Sequence, residues 1–448
     1  MKINLFLYIT IILLALSILK AFFAIKRIKK SIKLINNNKE NIPTDAPNIV
    51  VVLPVLREQK SLEETVLYFL KLPYDTKKLQ ILIITTEKEL KENSSRFQEE
   101  TTISLAKRLS EKYNKVKWLH YPKANGLKAD QMNYSIEKFN QLFPSLSPAN
   151  TFYAFYDADS KPSKNVFDIF KKSYAQIPNC NIFQQSSLYT KNYFSFNKKN
   201  FFRKLFLKAQ SLKQTRFIFS YEIPRIIRVY NYCSGKKKSF LNYCTYAPSV
   251  AHGLFARVSL LQKIKFPSNY TPEDMFWGFI ISCLKEPIAF LPSLDNSETP
   301  DSIKKVFLQL ASWFKGPFLS HRYRRFVKKY YTSHYKQNRL RIYMISYFAV
   351  WDAINWLMTS ALVYLYVIMG FLYGWPIWIL LILFFIMYEY GCFMIINQFI
   401  SSKNLINFRE KFLIFFSGIL ILLFHSLPAY YSIWKLLRGV EVVNKTER

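Results

Sequence analysis

Thr151-Phe152-Tyr153-Ala154-Phe155-Tyr156-Asp157-Ala158-Asp159 is the stretch that decides how this chain folds. A short apolar run closed by two acids reads as a buried strand, so its carboxylates emerge at the strand's carboxyl end. Ligands of open α/β sheets collect at that edge. Two carboxylates one residue apart can hold a divalent ion against a diphosphate, because hard oxygen ligands suit Mg²⁺ or Mn²⁺. A second acidic pair, in Thr271-Pro272-Glu273-Asp274, can supply a base.

Outward from this stretch, strand-like and helix-like segments alternate, which is the pattern of a parallel α/β sheet. Asn48 to Leu56, Leu79 to Thr85, Val116 to His120, Phe152 to Tyr156 and Asn181 to Tyr189 read as strands. Ser61 to Leu72 reads as an amphipathic helix opened by a Ser-x-x-Glu capping box. Charged or amphipathic helices are expected near Arg96 to Tyr113, over Lys128 to Phe139 and over Asn165 to Ile177. From Lys191 to Asn242 the chain is basic and aromatic with weak periodicity, so it reads as an insertion against a membrane whose secondary structure the pattern does not assign. Order resumes at Pro248 to Phe266.

The two ends are of another kind. Asn4 to Ile25 is apolar apart from Lys20, long enough for one crossing, and has no small-residue cleavage site, so it reads as a retained anchor. Lys26-Arg27-Ile28-Lys29-Lys30 and Lys33 follow it, which places the next residues in the cytosol by the positive-inside rule. A polar linker runs from Asn36 to Asn48. Three more apolar stretches lie at Ile345 to Leu372, Pro376 to Phe399 and Phe412 to Leu437. Basic residues precede the first (Arg322, Arg324, Arg325, Lys328, Lys329) and separate the second and third (Lys403, Arg409, Lys411), so both loops read as cytosolic. Four crossings put the carboxyl terminus outside. Lys435 and Arg438 oppose that placement, and one interfacial or re-entrant segment would reconcile the two.

The chain has 448 residues and a net charge of +34, from 63 Lys and Arg against 29 Asp and Glu. That excess points to an anionic partner, whether a membrane leaflet, a nucleic acid or phosphorylated substrates, and its clustering beside the apolar runs favours the membrane. No nucleic-acid motif is present. The five cysteines form no C-x-x-C pair and the histidines are scattered, which argues against zinc and disulfide frameworks and fits a reducing, cytosolic setting.

Four motifs in order make the region from Asn48 to Gly316 resemble a family 2 glycosyltransferase with a GT-A fold, of the membrane-embedded kind related to cellulose, chitin and hyaluronan synthases. The first is Leu53-Pro54-Val55-Leu56-Arg57-Glu58, where the resemblance assigns Pro54 and Glu58 to the nucleotide pocket. Thr86 in Thr85-Thr86-Glu87 stands where the family has a base-contacting Asp. The second is Asn125-Gly126-Leu127-Lys128-Ala129-Asp130-Gln131-Met132-Asn133, with Lys128 implied to neutralise phosphate and Asp130 to lie near base or ribose. The third is Asp157-Ala158-Asp159, matching the family's D-x-D. It implies Asp159 on the metal and Asp157 on metal or ribose. The fourth is Glu273-Asp274, matching T-E-D with Pro272 for Thr, and implies Asp274 as general base. Ala251-His252-Gly253-Leu254-Phe255 matches an acceptor-side loop, and Gln309-Leu310-Ala311-Ser312-Trp313 matches Q-x-x-R-W with Ser312 for Arg. His252, Glu273, Gln309 and Trp313 are thereby placed on the acceptor side, and Lys315 or Arg257 is the expected substitute for the lost Arg.

The resemblance implies an α/β GT-A, nucleotide-diphospho-sugar transferase domain set between amino- and carboxyl-terminal transmembrane helices. Its parts are an anchor (1–35), a GT-A domain (48–316, with the insertion 191–242), a basic interfacial segment (317–341) and the remaining membrane helices (342–440). It implies a metal-dependent, inverting enzyme that moves a sugar from a UDP- or GDP-linked donor to a lipid-linked or glycan acceptor, with Mg²⁺ or Mn²⁺ as cofactor. The site would face the cytosol at a bacterial-type inner or plasma membrane. Alternatives are a processive synthase that translocates its product and a non-catalytic sugar-binding or assembly protein. Ser312 and the count of crossings favour single transfer.

Overall fold

The computed structural model describes residues 2–36, 46–92, 100–249, 252–268, 270, 272–400 and 408–440. Thr271, Ala251, Arg96, Lys403 and most of the polar linker lie outside the described residues.

The helix α1 (Lys2–Asn36) leads into β1 (Asn48–Pro54), α2 (Gln59–Leu70), β2 (Leu79–Thr86), α3 (Thr102–Lys112), β3 (Val116–Tyr121), α4 (Lys128–Glu137) and β4 (Thr151–Phe155). The two-residue β5 (Lys161–Pro162), α5 (Val166–Gln176) and β6 (Ile182–Leu188) follow. β7 (Leu254–Arg257), α8 (Glu273–Cys283), β8 (Ile288–Asn296) and α9 (Ile303–Phe318) complete the α/β region. Between β6 and β7 lie α6 (Phe201–Phe217), a π-helical turn (Ile218–Glu222) and α7 (Ile223–Cys233).

One eight-stranded sheet holds these strands in the order β3-β2-β1-β4-β7-β6-β8-β5. β3, β2, β1 and β4 run parallel, β7 runs antiparallel to both β4 and β6, and β6 is parallel to β8. The carboxyl ends of β1, β2, β4, β6 and β8 therefore share one edge with the start of β7. Both faces are covered, which is why the first strands read as unbroken apolar runs. Val50, Val52, Tyr153 and Phe155 pack with α4 and α8, while Ile49, Val51, Phe152 and Ala154 pack with α2, α3 and α5. Each such fully buried aliphatic or Phe side chain contributes about 1.5–3 kcal/mol.

Local signals met tertiary competition in several places. The helix expected to open at a Ser61 capping box starts at Gln59 instead, with no side-chain cap. Its entry is held from outside, by the Glu58 N–H donating to Thr102 Oγ1 at 3.0 Å, and Glu64 pairs with Lys161. α3 begins at Thr102 and is capped by Thr101. The basic insertion is helical throughout 201–233. α6 crosses the carboxyl-terminal helices, with Lys208 paired to Glu410 and the Phe206 ring 5.0 Å from Phe424.

Among the described residues, four helices are long and apolar enough to cross a membrane: Leu5–Asn36, Arg339–Tyr373, Trp375–Ile400 and Glu410–Leu437. The second contains α10 (Arg339–Tyr373), and the third begins with α11 (Trp375–Ile395). Their outward faces are apolar, with Leu5, Phe6, Ile12, Ile354, Phe371 and Ile379 exposed. Lys20, the charge inside the first stretch, donates to Asn355 Oδ1 at 2.9 Å.

The last stretch is two helices, α12 (Phe408–Phe424) and α13 (Leu427–Leu437), broken at His425-Ser426. Backbone groups freed in an apolar setting must find partners within the protein. Trp356 Nε1 donates to the His425 carbonyl at 3.1 Å, and the Ser426 N–H donates to Ser360 Oγ at 2.9 Å. α13 then lies along α9, the Tyr431 and Phe307 rings 5.2 Å apart.

Gly278, in α8, is where the sheet-covering helix meets the loop before β7. A Cβ there would fall 2.4 Å from the Ala247 carbonyl oxygen and 2.7 Å from the Ser249 nitrogen. Gly278→Ala is expected to cost on the order of 1–3 kcal/mol, as overpacking does. A melting temperature several degrees lower in detergent checks this, and an unchanged one would show that α8 can shift freely.

Candidate functional site

β4 delivers the first acidic pair to the sheet edge. The Tyr156 N–H donates to the Val52 carbonyl at 3.0 Å, and beyond it the chain turns away from the sheet. The turn is tied on three sides. The Ser160 N–H donates to the Asp157 carbonyl at 3.1 Å, the Asp157 N–H to Ser160 Oγ at 3.2 Å, and the Thr65 hydroxyl of α2 to the Ala158 carbonyl at 2.5 Å. Ala158 is buried, and the carboxylates on either side of it are partly exposed. Lys128, in the first turn of α4, donates to Asp157 Oδ1 at 2.6 Å. Lys191 donates to the Asp159 carbonyl at 2.9 Å and pairs with Glu298 at 3.1 Å.

The second acidic pair begins α8, just after Pro272. Negative charge is favoured at a helix amino end, and Asp274 Oδ1 accepts the Met275 N–H at 2.7 Å. The Glu273 carboxyl is pushed up to about 7 by burial and by Asp274, with Lys128 opposing. Burial works to lower Lys128, but Asp157, Glu273 and Asp274 outweigh it and raise its pKa. One ammonium thus answers both acidic pairs. α9 abuts the same helix start, since a Cβ at Gly316 would meet Met275 Sδ at 2.1 Å.

The other expected residues fall into two groups. Glu58 shares a cleft of 170 Å³ with Asp159, Ser61, Lys161, Lys191 and Glu298. Beside it, Arg57 has φ +57°, a left-handed backbone that costs a non-glycine residue about 1–2 kcal/mol. Pro54 ends β1, half-buried. Thr86 is buried at the end of β2, its hydroxyl accepting the Lys88 N–H at 3.3 Å. Asp130 Oδ2 accepts the Leu127 N–H at 2.7 Å, closing the start of α4. Of the residues expected on the acceptor side, His252 Nε2 bonds the Ser187 hydroxyl and Gln309 Oε1 accepts from Gln214 at 2.9 Å. Trp313 lies 6.3 Å from the Tyr189 ring. Arg257, expected as a substitute cation, stands at the opposite edge. β7 runs back from the site, so the guanidinium bonds Asn181 at 2.8 Å and the Pro178 carbonyl at 2.9 Å.

Sequence reasoning missed the polar floor of the site. Gln184, Gln185, Ser186 and Ser187 of β6 are all buried. The Tyr156 hydroxyl donates to Gln185 Oε1 at 2.7 Å, and Gln185 Nε2 donates to Ser293 at 3.0 Å. Gly253 (φ +68°) lies against Gln185, where a Cβ would come within 2.7 Å. The Ser186 hydroxyl donates to Glu222 Oε1 at 2.7 Å, and Glu222 sits on the π-helical turn, a geometry common at functional positions. Burial pushes Glu222 up to about 8, the Ser186 bond opposing and Asp274 adding. Asp295 is pushed up to about 6 by burial, with His252 and Ser297 opposing and the D-x-D carboxylates adding. Four polar residues in a row inside a strand were the available signal.

Among the described residues no three His, Cys, Asp or Glu side chains gather to hold a metal unaided. Two carboxylates at a sheet edge instead suit an ion that completes its shell with water and phosphate oxygens, as Mg²⁺ and Mn²⁺ do.

No protein-family model matches this chain, and no curated protein matches its sequence. Among solved structures it is similar to the mannosyltransferase PcManGT from Pyrobaculum calidifontis in complex with GDP-Man and Mn²⁺. That similarity has 11% identity and a TM-score of 0.47, over 97% of this chain and 99% of that one. It is also similar to S. aureus TarS 1-349 in complex with UDP-GlcNAc, at 11% identity and a TM-score of 0.32, over 71% of this chain and 83% of that one. Both likenesses are weak in sequence and in shape.

The raised carboxyls give stability a sign with pH. Glu222 keeps in the fold a proton that the unfolded chain releases near 4.5, so its contribution is complete below that pH and lost as pH rises through about 8. Glu222→Gln has no proton to lose. Its melting temperature, measured in detergent, should gain on the parent between pH 5 and pH 9, and a gap independent of pH would contradict a protonated Glu222.

Proposed function

We propose that this chain is a metal-dependent, inverting glycosyltransferase. It moves a sugar from a nucleotide-diphospho-sugar to a lipid-linked or glycan acceptor at the cytosolic face of a membrane. The observation that carries the reading is the meeting of two acidic pairs at one lysine, with Asp157 bonded to Lys128 at 2.6 Å and Glu273 and Asp274 acting on the same ammonium. The ordered family 2 motifs support it.

Asp274 is the base. It takes the proton of the acceptor hydroxyl as that oxygen attacks the anomeric carbon, and the bond to the diphosphate breaks on the opposite face with its electron pair leaving on the diphosphate. One bond forms as one breaks, so the carbon inverts. With Glu273 protonated toward neutral pH, the base does not stand beside a second full charge. Lys128 offsets charge on the departing diphosphate as a compact cation. Asp159 and Asp157 would hold the Mg²⁺ or Mn²⁺, which when bound supplies further neutralisation of that diphosphate. Glu58 lines the neighbouring cleft, as a nucleotide contact would. Trp313 and His252 stand on the acceptor side, where an aromatic face suits the apolar face of a sugar. Single transfer is the favoured mode, given Ser312 and the four apolar helices.

Purified protein offered UDP- and GDP-sugars with Mg²⁺ or Mn²⁺, and membranes as acceptor source, should release nucleoside diphosphate from at least one donor. Chelation should stop the release. Silence with every donor would count against an enzyme. Asp274→Asn should lower kcat by about 10²–10⁴ while donor binding persists, the range for a lost general base. Full activity would remove Asp274 from that role.

A further inference from the structure

We propose that Arg27, Arg216, Arg225 and Arg228 form a site for the phosphate of an anionic membrane lipid, held where the insertion helix meets the membrane helices. The proposal rests on the membrane helices and is independent of the sugar-transfer reading.

Three helices bring the four guanidiniums together. α1 is apolar for about 33 Å before Lys26, at 1.5 Å per residue, so Arg27 stands at headgroup level. Gly391 of α11 marks the junction. A Cβ there would lie 2.8 Å from Ile28 Cδ1 and 3.2 Å from Arg216 Nε, so α1, α6 and α11 touch one residue from Arg27. The Ser31 hydroxyl, one turn on, donates to the Phe219 carbonyl at 2.8 Å and ties α1 to the π-helical turn. The charges acting most on Arg27 are those of Arg228, Arg216 and Arg225, and Arg225 acts in turn on Arg228.

Among the described residues, the acids facing this group are too few. Asp352 of α10 bonds Arg225 Nη2 at 2.5 Å, and Glu389 of α11 acts on Arg216. Four guanidiniums against two carboxylates, one of them shared with Lys213, leave an excess of at least two positive charges. Hydrogen bonds are missing as well. Arg27 Nε, Arg216 Nε and Arg225 Nη1 are buried and have no hydrogen-bond partner among the described residues. Buried donors without acceptors and crowded like charges both oppose folding. Water would supply acceptors but no charge. A phosphate supplies both, and the planar guanidinium fork matches its oxygens. The walls are apolar membrane helices, with Arg216 stacked 3.8 Å over the Tyr388 ring, so the phosphate is that of a lipid whose chains lie among them.

The full chain, purified in zwitterionic detergent, is melted alone and with phosphatidic acid, phosphatidylcholine or inorganic phosphate. Phosphatidic acid should raise the melting temperature by about 3 °C or more, and the other two should not. The double variant Arg216→Gln, Arg228→Gln should lose that rise, and its lipid-free melting temperature should exceed the parent's because repulsion is relieved. Retention of the rise in the variant, or a lower lipid-free melting temperature, would overturn the site. An equal rise with phosphatidylcholine or with inorganic phosphate alone would overturn the anionic lipid as its occupant.

Discussion

The ammonium of Lys128 ties the site together because acidic pairs cannot gather at one sheet edge unanswered, and it acts on Asp157, Glu273 and Asp274. Asp157 and Asp159 come off β4, Glu273 and Asp274 begin α8, and Lys128 opens α4 between them. At 2.6 Å from Asp157 it makes the short contact, and Glu273 and Asp274 also act on it. Like charges brought together disfavour ionisation unless a cation compensates. Glu273 is raised to about 7 by burial first and by Asp274 second, with Lys128 opposing. Lys191 takes the other end of the D-x-D turn through the Asp159 carbonyl. The large positive charge of the chain matters locally only through such placed lysines.

Beneath the carboxylates lies a layer that a hydrophobic core would not contain. Buried polar groups persist only when partnered, and β6 meets that demand residue by residue. Gln185 takes Tyr156 and Ser293, Ser186 takes Glu222, and Ser187 takes His252 and Ser297. Through Glu222 this layer reaches the insertion helix, and through Asp352 the same helix reaches α10 by way of Tyr221 and Arg225. The sheet edge that carries the acidic pairs and the apolar helices are thus joined by hydrogen bonds and ion pairs on one continuous helical segment.

Legibility followed the range of the interactions. β1, β2 and β4 were readable because a sheet covered on both faces needs consecutive apolar residues. The insertion was not, because α6 is enclosed on most sides. Lys208, Gln210, Ser211, Gln214 and Thr215 are buried beside Leu205, Phe206 and Leu212, so no amphipathic stripe marks it. The break in the last apolar stretch was hidden for a similar reason, since the groups that satisfy Ser426 belong to Ser360 and Trp356 on another helix. Ser61 offered a capping box that Thr102, from α3, made unnecessary.

The sequence by itself determined the alternation of strands and helices, the apolar helices at both ends and the acidic pairs. These depend on neighbours within a few residues, where side-chain spacing and backbone preference act directly. Only the tertiary structure decided that Arg257 faces away from the site, and that Glu222, Asp295 and four polar residues of β6 form the floor under the D-x-D turn. Those outcomes depend on which strands run antiparallel and which helix lies over them. Strand direction is set by packing between segments far apart in the chain, and no local pattern records it.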